Sequence, residues 1–238
     1  MKLRLTPRLR AVADLVPEGA IVADIGSDHA YVPVDLIRSG RARKVIASDV
    51  HNGPVENAKK VVALAGLEDK IEIRLGSGFD VYRIGEVDTA VLAGMGGFLI
   101  RDLIQDALPM VRSLTCLVLQ PMVAIRELRQ WLLENGFEIL EERVAQEGRK
   151  FYEIFSVRFS GAAQHKADLV TAEVGRHLFR SEDEISMRYL EHRIQKTQTV
   201  IQALANAKDA EATELQSFEA RLRLLMEVKA CLSTQKKS

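Results

Sequence analysis

The chain has 238 residues, of which 47% are hydrophobic and 28% charged, so it can build an apolar core and is not globally disordered. Lys plus Arg and Asp plus Glu each number 33, so the formal net charge is zero and any nucleic-acid contact needs a local basic patch. Cys116 and Cys231 form no CxxC pair, which gives no support to a zinc site or a disulfide framework. The start lacks a signal peptide and no apolar run reaches the roughly 18 residues that span a membrane. We therefore expect a soluble, cytoplasmic protein.

Short apolar runs alternate with longer helical patterns up to about residue 160. The runs predict five strands, at 21–25, 45–49, 71–75, 87–92 and 114–119. Helical patterns lie between them at 54–66, 98–108 and 124–135. This alternation predicts an α/β fold with a doubly wound parallel sheet. Two more extended runs, 137–145 and 150–158, predict an antiparallel hairpin at the end of the sheet.

The pattern changes after residue 160, so we predict two domains, 1–160 and 161–238. Two helices are predicted in the second domain, at 184–205 and 211–232. Their apolar residues follow coiled-coil spacing, at Leu190, Ile194, Ile201, Leu204, Leu215, Phe218, Leu222, Leu225 and Leu232. An antiparallel helical hairpin is predicted, which either packs on its own domain or a dimer partner, or contacts a large substrate.

Glycines and acidic residues collect where the predicted strands end. The first strand runs into Asp24-Ile25-Gly26-Ser27-Asp28, and the second ends at Asp49. A glycine here permits close approach of a ligand, and an acid at the second strand can accept both ribose hydroxyls of a nucleoside. The first turn has one glycine where a dinucleotide-binding turn has three, which favours S-adenosylmethionine over a cofactor with a pyrophosphate.

Three segments together resemble the bacterial tRNA adenine-22 N1-methyltransferases, the TrmK family. They are Ala23 to Tyr31, Ala93-Gly94-Met95-Gly96-Gly97, and Leu119-Gln120-Pro121. The resemblance extends along the whole chain, since that family also has a C-terminal helical domain. It implies a class I methyltransferase (Rossmann-like) fold, S-adenosylmethionine as cofactor and methyl transfer to N1 of adenine 22 in tRNA.

The resemblance also implies a role for each site residue. At the methionine end of the cofactor it places Asp24, Gly26 and Ser27, while Asp49 holds the ribose. Around the adenine it places Gly76, Ser77, Gly78 and Phe79, and it makes Ala93, Gly94 and Met95 the floor near the methyl group. Gln120 and Pro121 lie where the target base enters. Arg8 reaches the cofactor carboxylate or lies on a solvated helix face, and Tyr31 stacks on the base or simply packs.

Two positions depart from the family pattern. Ser77 stands where an acid usually accepts a hydrogen bond from the adenine amino group, and a hydroxyl accepts less strongly than a carboxylate. Met122 stands where an Asn usually follows Gln120-Pro121, and methionine offers only packing to a base. We expect weaker cofactor binding from the first departure and altered base contacts from the second.

Adenine N1 carries a lone pair at neutral pH, so its methylation needs positioning more than deprotonation. The product base is cationic, and Asp28 is our first candidate to stabilise that charge. His29 is the second candidate, as a hydrogen-bonding partner or as a base for the amino proton. Alternatively, Asp28 caps the following helix and His29 only orients the turn.

Two basic clusters are candidates for phosphate contacts with tRNA: Lys2, Arg4, Arg8 and Arg10, and then Arg38, Arg41, Arg43 and Lys44. Two other functions remain open on the sequence. One is a methyltransferase of the same fold that acts on another RNA or a small molecule. The other is a non-enzymatic module that binds the cofactor or RNA. The sequence does not fix the oligomeric state.

Overall fold

The predicted apolar runs form one sheet in the computed structural model, which describes residues 4–162, 169–175, 184–207 and 212–235. Its seven strands are β1 (Ala20–Ile25), β2 (Ala42–Asp49), β3 (Ile71–Leu75), β4 (Thr89–Met95), β5 (Cys116–Pro121), β6 (Phe137–Glu147) and β7 (Lys150–Phe159). They lie in the order β3-β2-β1-β4-β5-β7-β6. The first five are parallel, and β7 is antiparallel to both β5 and β6. The predicted parallel sheet with a terminal hairpin is therefore confirmed.

Six helices accompany the sheet: α1 (Pro7–Leu15), α2 (Tyr31–Arg38), α3 (Asn52–Ala65), α4 (Gly97–Asp106), α5 (Leu108–Ser113) and α6 (Ile125–Glu134). The predicted helix at 98–108 is wrong at its end, because α4 stops before Ala107 and Pro109 lies in the first turn of α5. Proline lacks an N–H and clashes with the preceding turn, so it starts a helix but does not continue one. The fourth and fifth strands were predicted too early, at 87–92 and 114–119, because β4 runs from Thr89 to Met95 and β5 from Cys116 to Pro121.

A buried ion cluster joins α6 to the terminal hairpin. The fully buried guanidinium of Arg129 pairs with Glu142 at 2.9 Å and also with Glu153, and it lies over the ring of Phe155. Burial by itself would lower the pKa of Arg129, but Glu153 and Glu142 hold it above its usual value. Because each charge is compensated, the cluster fixes the position of the hairpin against α6.

The chain forms two compact units, Met1–Ala167 and Asp168–Ser238. The second contains α7 (Leu169–Val174), α8 (Glu184–Asn206) and α9 (Ala212–Gln235). Lys229, late in α9, pairs with Glu191, early in α8, at 2.8 Å, so these two helices are antiparallel as predicted. The nine apolar residues that follow coiled-coil spacing in these two helices are all buried or half-buried. The connection at 208–211 and the Lys236-Lys237 tail lie outside the described residues.

A second ion cluster joins the three helices of this unit. Glu173 of α7 is buried and pairs with Arg193 of α8 and, at 3.0 Å, with Arg221 of α9. No helix was predicted between residues 161 and 182, and α7 is the described helix within that segment. In the described parts of the chain, no helix is long and apolar enough to cross a bilayer.

Candidate active site

The turn after β1 is held tightly against β2 and β4. The backbone N–H groups of Gly26 and Ser27 both donate to the carbonyl of Ser48, at 2.8 and 2.9 Å. Gly26 has a φ of +79°, and a Cβ at this position would overlap the methyl group of Met95. Glycine suits this left-handed backbone, and a side chain here would have to displace the flexible methyl end of Met95. The carboxyl ends of three neighbouring strands therefore meet at this turn.

Asp24 is a buried carboxyl group directly before that turn. Only 7% of the residue is exposed, and burial raises its pKa to about 6, although a hydrogen bond with the Ser27 side chain acts in the opposite direction. Among the residues that the structure describes, Asp24 has no cationic partner. A buried carboxylate in this state is stabilised by a cation. An ammonium group, such as the one on the methionine end of S-adenosylmethionine, fits this requirement.

Asp49 ends β2 with one of its carboxylate oxygens already occupied. Its Oδ1 accepts a hydrogen bond from the backbone N–H of His51 at 2.9 Å and lies 3.3 Å from His51 Nδ1. Its Oδ2 makes no hydrogen bond or ion pair with any described residue. This oxygen can accept a hydroxyl of a bound ribose.

Tyr82 packs against β2, the strand that ends at Asp49. The hydroxyl of Tyr82 donates to Ser48 Oγ at 2.9 Å, and burial raises the pKa of this phenol. The same hydroxyl lies 3.2 Å from the carbonyl of Ile46, so Tyr82 contacts two residues of β2 close to Asp49.

The loop after β3 lies beside Asp49. The backbone N–H of Gly76 donates to the carbonyl of Asp49 at 2.9 Å, which joins the two strand ends. Gly78 has a φ of +48°, and a Cβ there would lie 2.7 Å from Leu103 Cδ2, so the loop is closely packed against α4. Phe79 is buried and Ser77 is exposed. The structure thus brings the predicted adenine-binding loop next to the predicted ribose-binding acid.

The end of β4 contains a bulge at Gly94. Ala93 pairs with Gln120 and Met95 with Pro121, so Gly94 is an extra residue in β4, with a φ of +80°. Its N–H donates to Gln120 Oε1 at 3.1 Å instead of to the neighbouring backbone. Gln120 is fully buried, whereas Met122 is 43% exposed.

Arg8 lies on the other side of Gln120. Its Nη1 donates to Gln120 Oε1 at 2.7 Å, and its guanidinium lies over the ring of Tyr152, 5.5 Å from the centroid. The backbone N–H of Arg8 donates to Glu147 Oε1 at 2.9 Å. Tyr152 and Glu147 were not predicted to lie near Arg8, because a hairpin pattern does not show which strand the hairpin will join.

Asp28, His29 and Tyr31 form an exposed group at the start of α2. His29 Nε2 lies 3.3 Å from Asp28 Oδ2, and the imidazole stacks on the ring of Tyr31, with the centroids 5.1 Å apart. The suggestion that Asp28 caps α2 is wrong. The residue before the helix is Ala30, with a φ of +53°, and no side chain caps the helix there. Asp28 and His29 are thus available to a ligand.

Several residues of the two basic clusters are engaged within the fold. Arg10 pairs with Asp35 at 2.6 Å, and Lys44 pairs with Glu72 at 3.3 Å. Arg41 and Arg43 donate to backbone carbonyls at 2.8 and 2.6 Å. Lys2 lies outside the described residues. The two ion pairs compensate the charge of Arg10 and Lys44, whereas Arg41 and Arg43 keep their charge and use one donor each within the fold.

The sheet order, the glycine turn after β1 and the acid that ends β2 define a class I methyltransferase fold. Residues 5–155 match the family model described as a methyltransferase domain. The chain is 32% identical to the tRNA (adenine(22)-N(1))-methyltransferase of Bacillus subtilis over 233 residues, which is 95% of this chain and 98% of that one. It therefore belongs to the family of tRNA (adenine-22 N1)-methyltransferases.

Solved structures agree with this assignment. The tRNA methyltransferase TrmK of B. subtilis matches with a TM-score of 0.81 at 31% identity, covering 96% of this chain and all of that one (100%). A Streptococcus pneumoniae protein in complex with S-adenosyl-L-methionine matches with a TM-score of 0.82, also at 31% identity, over 95% of this chain and 100% of the other. These similarities extend over both units of the chain.

Proposed function

We propose that this protein transfers a methyl group from S-adenosylmethionine to N1 of adenine 22 in tRNA. The observation that carries the proposal is the buried, cation-free Asp24 at the glycine turn beside Asp49, in a chain similar over nearly its whole length to an enzyme with this activity. tRNA is found in the cytoplasm, and we place the protein there.

The proposed cofactor contacts follow the edge of the sheet. Asp24, with Gly26 and Ser27, receives the methionine end, and the free oxygen of Asp49 accepts a ribose hydroxyl. The loop Gly76 to Phe79 surrounds the adenine. S-adenosylmethionine, when bound, supplies an electrophilic methyl sulfonium. Burial of Asp24 strengthens its attraction for an ammonium group, because water does not screen the pair.

The protein's task in methyl transfer is to position the base. Adenine N1 presents a lone pair without losing a proton, so the gain comes from holding reactants at about 3–3.5 Å in line. In folded tRNA the base must first leave its stack, which costs a few kcal/mol. Tyr31 is 38% exposed and stacked on His29. It is our candidate to receive the face of the extruded base.

Asp28 is the group we assign to the developing charge. Methylation makes the base cationic, and an ionised carboxylate close to it stabilises that charge as it forms. The side chain of Asp28 is 66% exposed, so a base can reach it, and the imidazole of His29 lies 3.3 Å away to orient it. His29 can also accept a proton from the exocyclic amine.

Purified protein, labelled S-adenosylmethionine and unmodified bacterial tRNA test the proposal directly. We expect N1-methyladenosine in the nucleoside digest, and none when the tRNA carries guanine at position 22. Cofactor binding without any methylated tRNA would contradict the proposal and leave a binding module. Methylation of the guanine-22 tRNA would indicate a different target nucleotide.

A further inference from the structure

We propose that Gln120 is a positioning residue, which holds the Gly94 bulge through its Oε1 while Arg8 fixes the orientation of its amide. The inference rests on the proposed function and deepens it. It concerns how the end of β4 keeps the shape needed for methyl transfer. This strand end lies next to the turn after β1 that contains Gly26, which we call the cofactor turn.

The bulge leaves one backbone donor that the sheet cannot satisfy. Ala93 and Met95 face consecutive residues of β5, so the N–H of Gly94 between them has no ladder partner. Gln120 Oε1 accepts a hydrogen bond from it at 3.1 Å and thereby stabilises the bulge. Gly94 itself is exposed and this hydrogen bond is part-buried, so the bond contributes about 0.5–1.5 kcal/mol.

Two neighbours determine which way the Gln120 amide points. Arg8 Nη1 can only donate, and it lies 2.7 Å from Oε1. The carbonyl of Pro121 can only accept, and Gln120 Nε2 donates to it at 2.9 Å. A flipped amide would place donor against donor and acceptor against acceptor. Arg8 and Pro121 therefore keep Oε1 directed at Gly94.

These contacts use the polar atoms of Gln120 within the protein. Oε1 accepts two hydrogen bonds, and Nε2 donates to the Pro121 carbonyl and contacts Met122 Sδ at 3.5 Å. The residue is fully buried. A direct contact with the target base would require these bonds to break, so Gln120 acts through Gly94 and not on the base.

The bulge is coupled to the cofactor turn. Met95 follows Gly94 directly, and its methyl group occupies the space beside Gly26. If the N–H of Gly94 loses its acceptor, the backbone that carries Met95 is released at the point where β4 meets the turn. A displacement of about 1 Å at a reacting centre lowers a rate by about 100-fold.

Two variants of Gln120 separate positioning from base contact. Gln120→Met has similar length and no acceptor, whereas Gln120→Glu keeps an oxygen for Arg8 and Gly94 and loses the amide donor. We expect Gln120→Met to lower kcat by about 100-fold with an unchanged KM for tRNA, and Gln120→Glu to stay within about tenfold of wild type. Gln130→Met, which removes an amide bonded to Glu134 on α6, is the matched control.

Hydrogen exchange at the Gly94 amide supplies a readout without cofactor or tRNA. We expect faster exchange in Gln120→Met and in Arg8→Met, and wild-type exchange in Gln130→Met. A higher KM for tRNA in both Gln120 variants, with unchanged exchange at Gly94, would overturn the inference in favour of base contact. If wild-type protein does not methylate adenine 22, the proposed function fails, while the exchange measurement still decides whether Gln120 holds the bulge.

Discussion

The methyl group of Met95 fills the space that a side chain on Gly26 would occupy. Gly26 directly follows β1, and Met95 is the last residue of β4, so the contact joins two neighbouring strand ends. Glycine at this position therefore provides a left-handed φ of +79° and leaves room for the methyl end of Met95.

Gly26→Ala tests this contact. Both Gly26 and Gly40 have a left-handed φ, but a Cβ on Gly40 would have no heavy atom within 4 Å. Alanine at either position should cost roughly 1–2 kcal/mol of unfolding free energy through backbone strain. Only Gly26→Ala should also raise the Kd for S-adenosylmethionine, by at least about tenfold. Calorimetric titration measures this, and equal Kd values in the two variants would contradict the steric argument.

Asp24 should make the stability of the cofactor-free protein depend on pH. Its pKa is raised from 3.8 to about 6, so ionisation opposes folding. The cost is absent below pH 4, grows between pH 4 and 6, and reaches about 3 kcal/mol above pH 6, at about 1.4 kcal/mol per pKa unit. Asp24→Asn should therefore be more stable than wild type at pH 8 and not at pH 4. A stability difference that does not change with pH in urea unfolding would disprove this.

The same carboxyl group should make cofactor affinity depend on pH in the opposite sense. Ionised Asp24 attracts an ammonium group and protonated Asp24 does not, so the wild-type Kd should fall as pH rises from 5 to 7. Asp24→Asn should bind more weakly, with a smaller pH dependence. If both proteins show the same pH profile by calorimetry, Asp24 does not bind the ammonium group.

Removal of Arg129 should destabilise the first unit strongly. Arg129→Met leaves Glu142 and Glu153 buried without their cation, which typically costs about 3–5 kcal/mol. The exposed pair of Arg158 and Glu138 is the control, and Arg158→Met should cost less than about 1 kcal/mol. The fluorescence of Trp131, two residues after Arg129 on α6, follows urea unfolding of this unit. An equal loss of unfolding free energy in both variants would show that the buried ion cluster stabilises the fold no more than an exposed ion pair.

Asp28→Ala should slow methyl transfer without weakening the binding of S-adenosylmethionine. We expect kcat to fall by about 100-fold with an unchanged Kd for S-adenosylmethionine, because the carboxylate acts on charge that develops only in the reaction. His29→Ala should have a smaller effect, since it removes the partner that lies 3.3 Å from Asp28. Asp69→Ala, at an exposed acid in the turn before β3, is the control. Wild-type turnover in Asp28→Ala would remove this residue from the mechanism.

The strands could be predicted because a parallel strand that is buried on both faces reads as a continuous apolar run. Glycine marked the ends of several strands, which placed Gly26, Asp49 and Gly76 at one edge of the sheet. The end of β4 was harder, because Ala93 to Met95 reads as a glycine-rich loop. Only pairing with β5 shows that the strand continues through a bulge.

The burial of Arg129 and Gln120 could not be predicted from the sequence. Arg129 falls in an amphipathic helix, where arginine is usually exposed, and its burial depends on two acids that the hairpin supplies. Gln120 was predicted to lie just past the fifth strand, where it would meet the substrate, but it lies within β5. Its partners, Arg8 and Gly94, are distant in sequence, so neither spacing nor periodicity could reveal them.

The central claim is that this protein methylates N1 of adenine 22 in tRNA, and reverse transcription of tRNA from cells tests it most directly. An N1 methyl group blocks base pairing and therefore stops the reverse transcriptase. The source bacterium and a strain that lacks this gene are compared, with the gene restored on a plasmid as control. We predict a stop at adenine 22 in the parent, full-length product in the deletion strain, and a stop again with the wild-type gene but not with Asp28→Ala. A stop at adenine 22 that persists in the deletion strain would contradict the assignment of this methylation to the protein.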